Sequence, residues 1–299
     1  LYYSSAFGAV TASPTADDNL VATVVKLSAS NYGGDYTGNY DLLKTALETS
    51  QEKNESAPVI VMGHHGIQNT AYVTNEWYGN YGKGTDRDMV ALLEQYPHIS
   101  GHSHATIEDA RSIYQNQGYT AIQDGTIGAY FENEKGKVDP DSGAGATRPS
   151  NSEIASQALR IDVLEDGGVA IYRLNLTTGE YIFGGEPWAF DVADHTDRPY
   201  DGTRESETAP AFAEEAAVTA GEVTDGTAIV RFPAATAGSR ANNDMIHTYT
   251  LKLTPQGSGG TVTRSVFADY YEETAKSEWS VKITGLDADT TYAVSVTAK

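Results

Sequence analysis

The stretch Ser100-Gly101-His102-Ser103-His104-Ala105 puts two imidazoles two residues apart behind a glycine. In extended backbone, side chains at that spacing share a face, and glycine lets the main chain come close to whatever the rings hold. Neutral imidazole is the commonest protein metal ligand at neutral pH, so the chemistry on offer is capture of a divalent cation. For an isolated His-x-His the competing reading is a polar loop with two solvated rings. A second histidine pair shifts the balance, because the apolar run Val59-Ile60-Val61-Met62 stops at Gly63-His64-His65-Gly66.

The elements that must position these rings follow from periodicity. Residues 20–29 are β-branched and mostly apolar, which predicts a strand. Leu43, Ala46 and Leu47 recur at helical spacing within Asp41–Thr49. Pro58 introduces the run at 59–62, of the kind that buried strands show. After a polar and aromatic loop over 67–84, Met89, Leu92, Leu93 and Tyr96 mark the buried face of a second helix. Thr85 with Asp88 resembles its capping box, and Pro97 ends it. His98 and Ile99 form a brief strand that feeds the His-x-His. Histidines thus stand at the carboxyl ends of two strands, where open α/β sheets hold their ligands. Tyr119–Gln123 reads as another strand, 133–152 as a flexible loop, and 159–176 as a hairpin turning at Asp166-Gly167-Gly168. A polar linker with two prolines covers 195–211. Beyond it the strands expected are Ala228–Phe232, His247–Leu253, Val262–Phe267, Ser280–Ile283 and Tyr292–Ala298.

Across 299 residues, 41 Asp and Glu outweigh 20 Lys and Arg for a net charge of −21. Such a surface repels nucleic acid and anionic membranes. An acidic protein that acts on phosphates needs local positive charge, which metal ions supply. The absence of cysteine excludes disulfides, cysteine-type zinc sites and thiol nucleophiles. No apolar run reaches the ~18 residues of a membrane span, and the start has no signal-peptide pattern. The chain opens on Leu1-Tyr2-Tyr3 without methionine and is read as the downstream portion of something longer.

The apolar strand ending in Gly63-His64-His65-Gly66, followed by Gly101-His102-Ser103-His104, resembles the later motifs of the calcineurin-like metallophosphoesterases. Those motifs are an apolar strand ending in His-x-Pro and a Gly-His-x-His. The resemblance continues through Asp109-Ala110-Arg111-Ser112-Ile113-Tyr114-Gln115 and Arg173-Leu174-Asn175-Leu176 to Pro187-Trp188, and covers most of residues 20–192. It implies part of an α/β sandwich, mixed sheets flanked by helices, over residues 1–205. It also implies hydrolysis of phosphate mono- or diesters by two divalent cations (Mn, Fe or Zn) about 3.5–4 Å apart. By this resemblance His64 and His102 hold one metal and His104 its neighbour. His65 faces substrate or solvent as a catalytic group, or else bonds within its loop.

Gly66 stands where the family usually has proline. The family's upstream Asp-x-His, Gly-Asp-x-x-Asp and Gly-Asn-His-Asp/Glu patterns do not occur, and residues 1–63 contain no histidine. The expectation is that an upstream segment of the same protein supplies the remaining ligands, and that residues 1–299 alone bind metal weakly and are inactive. Asp109 and Asp124 are the carboxylates to weigh as replacements, and Asp124 sits in a Gln-Asp-Gly-Thr turn that reads as solvated. Tyr72, Trp77, Tyr78 and Tyr81 either line a substrate mouth or simply pack.

Near the end, Gly285-Leu286-Asp287-Ala288-Asp289-Thr290-Thr291-Tyr292-Ala293-Val294-Ser295-Val296 resembles the closing signature of fibronectin type III domains. This implies an all-β, immunoglobulin-like sandwich over 206–299, with Tyr292 as a corner tyrosine bonded to upstream main chain. The family's early tryptophan is missing, and Phe232 fills that place. Together these readings predict an extracellular or surface-associated bacterial metallophosphoesterase with a small phosphate-ester substrate, no nucleic-acid partner and no membrane span. The rival is a non-catalytic surface or adhesion module with a phosphoesterase-like fold.

Overall fold

The computed structural model describes residues 8–11, 20–27, 36–76, 86–93, 97–100, 104–115, 119–127, 134–152, 156–192, 194, 196–201, 209–224, 226–238, 245–272 and 274–299. Two compact units divide the chain: Leu1–Phe131 with Glu153–Arg204, and Glu132–Ser152 with Glu205–Lys299.

In the first unit, β1 (Gly8–Thr11) pairs antiparallel with β2 (Leu20–Lys26). The chain then alternates through α1 (Tyr40–Lys53), β3 (Val59–Gly63), α2 (Asp86–Leu93) and β4 (Pro97–Ser100). Strands β2, β3 and β4 run parallel, side by side. β5 (Ile113–Gln115) and β6 (Thr120–Gln123) complete the sheet, with β6 parallel to β4 and β5 antiparallel at the edge. α1 buries Leu43, Ala46, Leu47 and Ser50, the stripe that lies along one face of a helix. Its Ser50 hydroxyl accepts from Thr23 of β2 at 2.9 Å, so even the polar member of the stripe is satisfied. Val25, Val61, Leu43, Met89 and Leu93 meet in the core between helices and sheet. Each such buried side chain contributes about 1.5–3 kcal/mol.

The segment expected as a flexible loop carries β7 (Lys137–Val138) and β8 (Gly145–Ala146), a small arm that belongs to the second unit. Back in the first unit, β9 (Gln157–Val163) and β10 (Gly168–Asn175) form the expected hairpin. Gly167 holds φ +88° in its turn, with the Ser56 carbonyl so close that a Cβ would sit 2.9 Å from it. β11 (Glu180–Tyr181) and β12 (Trp188–Asp191) flank β10. Ile171 and Trp188 of this sheet pack against Ile60 and Ile122 on the other face of the first.

This corrects the α/β expectation. Strand accounts for 40 % of the described residues and helix for 14 %, so the fold is largely all-β. Among the described residues strand–helix alternation is confined to the stretch from β2 to β4, and extending it to the whole domain overweights it. From Ile113 onward most neighbouring strands are antiparallel, and such strands join through turns without helical crossovers. Among the described residues no helix is long and apolar enough to cross a membrane.

The second unit has β13 (Thr219–Thr224), β14 (Thr227–Pro233), β15 (Thr248–Pro255), β16 (Val262–Phe267), β17 (Glu278–Thr284) and β18 (Tyr292–Ala298). They make two three-stranded sheets, ordered β13-β14-β17 and β16-β15-β18. Val230, Phe232, Trp279 and Val281 of one sheet share a core with Tyr249, Leu251 and Val266 of the other. Phe232 lies directly across from Trp279. The Tyr292 hydroxyl accepts from the Asp287 amide at 2.9 Å, tying the start of β18 to upstream main chain.

Candidate functional site

Parallel register decides which strand ends lie together. Gly63 of β3 is beside Ser100 of β4, and Ser100 is beside Gln123 of β6. The chain leaves all three strands at one edge of the sheet. The residues that follow next in sequence are His64-His65, Gly101-His102-Ser103-His104 and Asp124.

His64 is exposed, and its ring stands nearly perpendicular to that of His65, 4.8 Å between centroids. His65 is only 3 % exposed. Its amide donates to the Tyr36 hydroxyl at 2.9 Å, and Tyr36 is wholly buried. Burial pushes the Tyr36 phenol above its ordinary range, and the bond from the His65 amide acts in the opposite, smaller sense. Of the two readings of His65, facing substrate or solvent or bonding within its loop, its burial favours the inward one, and its amide anchors the turn that follows β3. His104 is half-buried with φ +49°, in the left-handed region. A residue with a Cβ pays about 1–2 kcal/mol there. The rule that i and i+2 side chains share a face assumes extended backbone, and His104 departs from it. His102 lies outside the described residues.

Behind His104 the chain is buried from Ala105 to Asp109 and held by a polar hub. Gln157 at the start of β9 accepts from the Ile107 amide at 3.0 Å and donates to Glu108 at 2.8 Å. Asp109 accepts from the Arg111 guanidinium at 2.6 and 2.9 Å and from the Arg111 amide at 2.8 Å. It caps the short helical turn Ala110–Ser112 and is engaged there, which sets it aside as a replacement ligand. Arg111 stacks over Tyr72, 4.2 Å from guanidinium carbon to ring centre. Tyr72 is itself buried and takes the packing role rather than lining a mouth. Trp77, Tyr78 and Tyr81 lie outside the described residues. Neither Tyr36 nor Gln157 carries a sequence signal of its role, since each acts on a partner remote in the chain.

Asp124, read from sequence as a solvated turn residue, keeps an exposed surface. Lost hydration nonetheless pushes its carboxyl up to about 6. The exposed surface lets solvent screen that effect, so its worth in stability is modest. Its sign is definite. The folded value stands above the ordinary 3.8, so the contribution is full below that value and is lost as pH rises through about 6. Asp124→Asn is therefore expected to flatten the fall in melting temperature between about pH 4 and pH 6.5, as read by thermal melts across that range.

Imidazole and carboxylate donors of this kind suit Mn, Fe or Zn better than Ca. Among the described residues, no three His, Asp or Glu side chains gather into a group that could hold an ion. The chain matches no protein-family model and no curated protein.

Proposed function

We propose metal-dependent hydrolysis of phosphate mono- or diesters, with His64, His102 and His104 as histidine ligands. The observation that supports it is the shared strand edge: β3 and β4 end in register at Gly63 and Ser100, each followed at once by a histidine motif. Two divalent cations held there supply positive charge for phosphoryl oxygens and lower the pKa of a water. That charge is what an acidic chain needs in order to receive an anionic substrate.

The chain's own residues do the positioning. The Tyr36 hydroxyl fixes the His65 amide, and the buried His65 ring props the exposed ring of His64. Gln157 holds the segment that follows His104. Asp124, raised to about 6, is a carboxyl that changes protonation near neutral pH at the same strand edge, a property suited to proton transfer.

The test is metal content and turnover. Wild-type protein is expected to take up Mn or Zn in equilibrium dialysis with elemental analysis. His64→Ala, His102→Ala and His104→Ala are each expected to weaken that uptake by about tenfold or more. Residues 1–299 alone are expected to show no strong turnover of p-nitrophenyl phosphate or bis(p-nitrophenyl) phosphate, so metal uptake is the deciding readout. Metal uptake unchanged in all three variants would refute the assignment and favour the non-catalytic surface module.

A further inference from the structure

The second unit is closed along β16 and β17 by chain from much earlier in the sequence. These are edge strands of its two sheets, and the β7–β8 arm reaches both. β7 lies alongside β16, with the Lys137 ammonium 5.6 Å over the Phe267 ring and Val138 packed against the core. The turn that follows β7 reaches β17, where the Lys282 amide donates to the Pro140 carbonyl at 2.7 Å. Asp139 closes that turn by accepting from the amide and the hydroxyl of Ser142, at 2.8 and 2.7 Å. Gly143 fits it to β17: its φ is +72°, and a Cβ there would sit 2.9 Å from the Lys282 carbonyl oxygen. Farther along the arm, the Tyr271 hydroxyl donates to the Ser150 carbonyl. Covering an edge in this way is how sheets avoid unwanted pairing.

The chain on either side of the arm belongs to the first unit and to the candidate site. It approaches the arm through Asp124-Gly125-Thr126, which follow β6 at the strand edge, and after the arm it reaches Gln157, which opens β9. Approach and exit are fastened together. The Gln157 amide donates to the Thr126 carbonyl at 2.8 Å, and a Cβ on Gly125 would sit 3.0 Å from that of Gln157. The Gln157 side chain holds the Ile107 amide and Glu108 behind His104. One residue therefore secures both stems of the arm and the segment that follows a candidate ligand.

We infer that the arm is a coupling strap, seated or released, through which the order of the second unit sets the order of the candidate site. Pinning two positions so far apart in the chain costs closure entropy, and the cost falls when the chain between them is already held. Seating the turn on β17 thus favours the junction of Gln157 with Thr126. The junction favours the seat to the same degree, because coupling between sites is reciprocal. A released arm lets Gln157 part from Thr126 and weakens the support behind His104. The regulatory consequence rests on the metal-binding reading above: a cation at the candidate site tightens the seat on β17, and whatever loosens the second unit lowers affinity for the cation.

Amide hydrogen exchange on the full chain reads both ends of the strap at once. Gly143→Val sets a branched side chain at a positive φ against Lys282, and should speed exchange of the Lys282 amide by about tenfold or more. The Gln157 amide should follow by about threefold or more, while the Ile171 amide, in the middle of its sheet, keeps its wild-type rate. Should Gly143→Val unfold the whole second unit, Ser142→Ala keeps the test, because it removes only a hydroxyl from the turn. Both amides should then quicken together to a smaller extent. A freed Lys282 amide beside an unchanged Gln157 amide overturns the strap. Added Mn should slow the Lys282 amide in the wild type and leave it unchanged in His64→Ala. Mn that binds by elemental analysis without slowing Lys282 overturns the reciprocity. Absence of Mn uptake refutes the metal reading instead, and the comparison of Lys282 with Gln157 then decides the strap by itself.

Discussion

Replacing Gln157 by alanine is expected to cost about 2–5 kcal/mol, far more than the loss of one surface amide. Gln157 is 1 % exposed, and its side chain serves the Ile107 amide and the Glu108 carboxylate together. Both partners are buried as well. Truncation takes the acceptor from a buried N–H and a donor from a buried carboxylate, which costs the desolvation of both groups. The midpoint of urea unfolding should shift to markedly lower concentration with little change in slope. Gln157→Glu separates hydrogen bonding from shape, because it keeps the volume and sets a second carboxylate against Glu108. Its defect should deepen as pH rises and recede as pH falls, as like charges demand. A Gln157→Ala variant as stable as wild type would show that the segment after His104 is held by something else.

What the sequence could disclose tracks what each segment buries. β3, β6 and the strands from β14 to β18 are legible because their apolar runs or alternation mirror a buried face. β13 is silent for the opposite reason: it buries almost nothing, so Thr-Ala-Gly-Glu-Val-Thr has no period to detect. The β7–β8 arm is hidden in a Gly- and Asp-rich stretch, and its value lies in covering edges rather than in a hydrophobic face of its own. Clear helical spacing at 43–47 and 89–93 suggests more helix than the described residues hold, because strand signals depend more on context.

The candidate site divides in the same way. That His64-His65 ends a buried strand is visible, since the apolar run stops there. That His65 turns inward is not, because it depends on Tyr36, 29 residues away in the chain. Asp124 reads as an ordinary turn residue, since only the parallel pairing of β6 with β4 brings it to the edge that follows the histidine strands. Such long-range register is set by tertiary packing and leaves little trace in local pattern.

Tyr249→Ala is expected to destabilise the second unit by about 3–5 kcal/mol. Tyr249 is 2 % exposed and stands on β15 at the middle of an aromatic cluster. Its ring lies 5.2 Å from Phe232, 5.1 Å from Trp279 and 6.2 Å from Phe212, centroid to centroid. Phe232 and Trp279 belong to the opposite sheet, so this one ring joins the two layers. Its hydroxyl accepts from the Ala235 amide at 3.1 Å, a separate and smaller contribution. Tyr249→Phe keeps the ring and removes that acceptor, and should cost only about 1 kcal/mol. Near-UV circular dichroism through a urea titration reads the difference, with the two variants ranked well apart. Because the chain has two units, each can unfold in its own transition. The shift should fall on the transition that also moves with Leu251→Ala and leave the other where it is in the wild type. Equal losses for the alanine and phenylalanine variants would place the stabilisation in the hydroxyl and refute the ring as the join between the sheets.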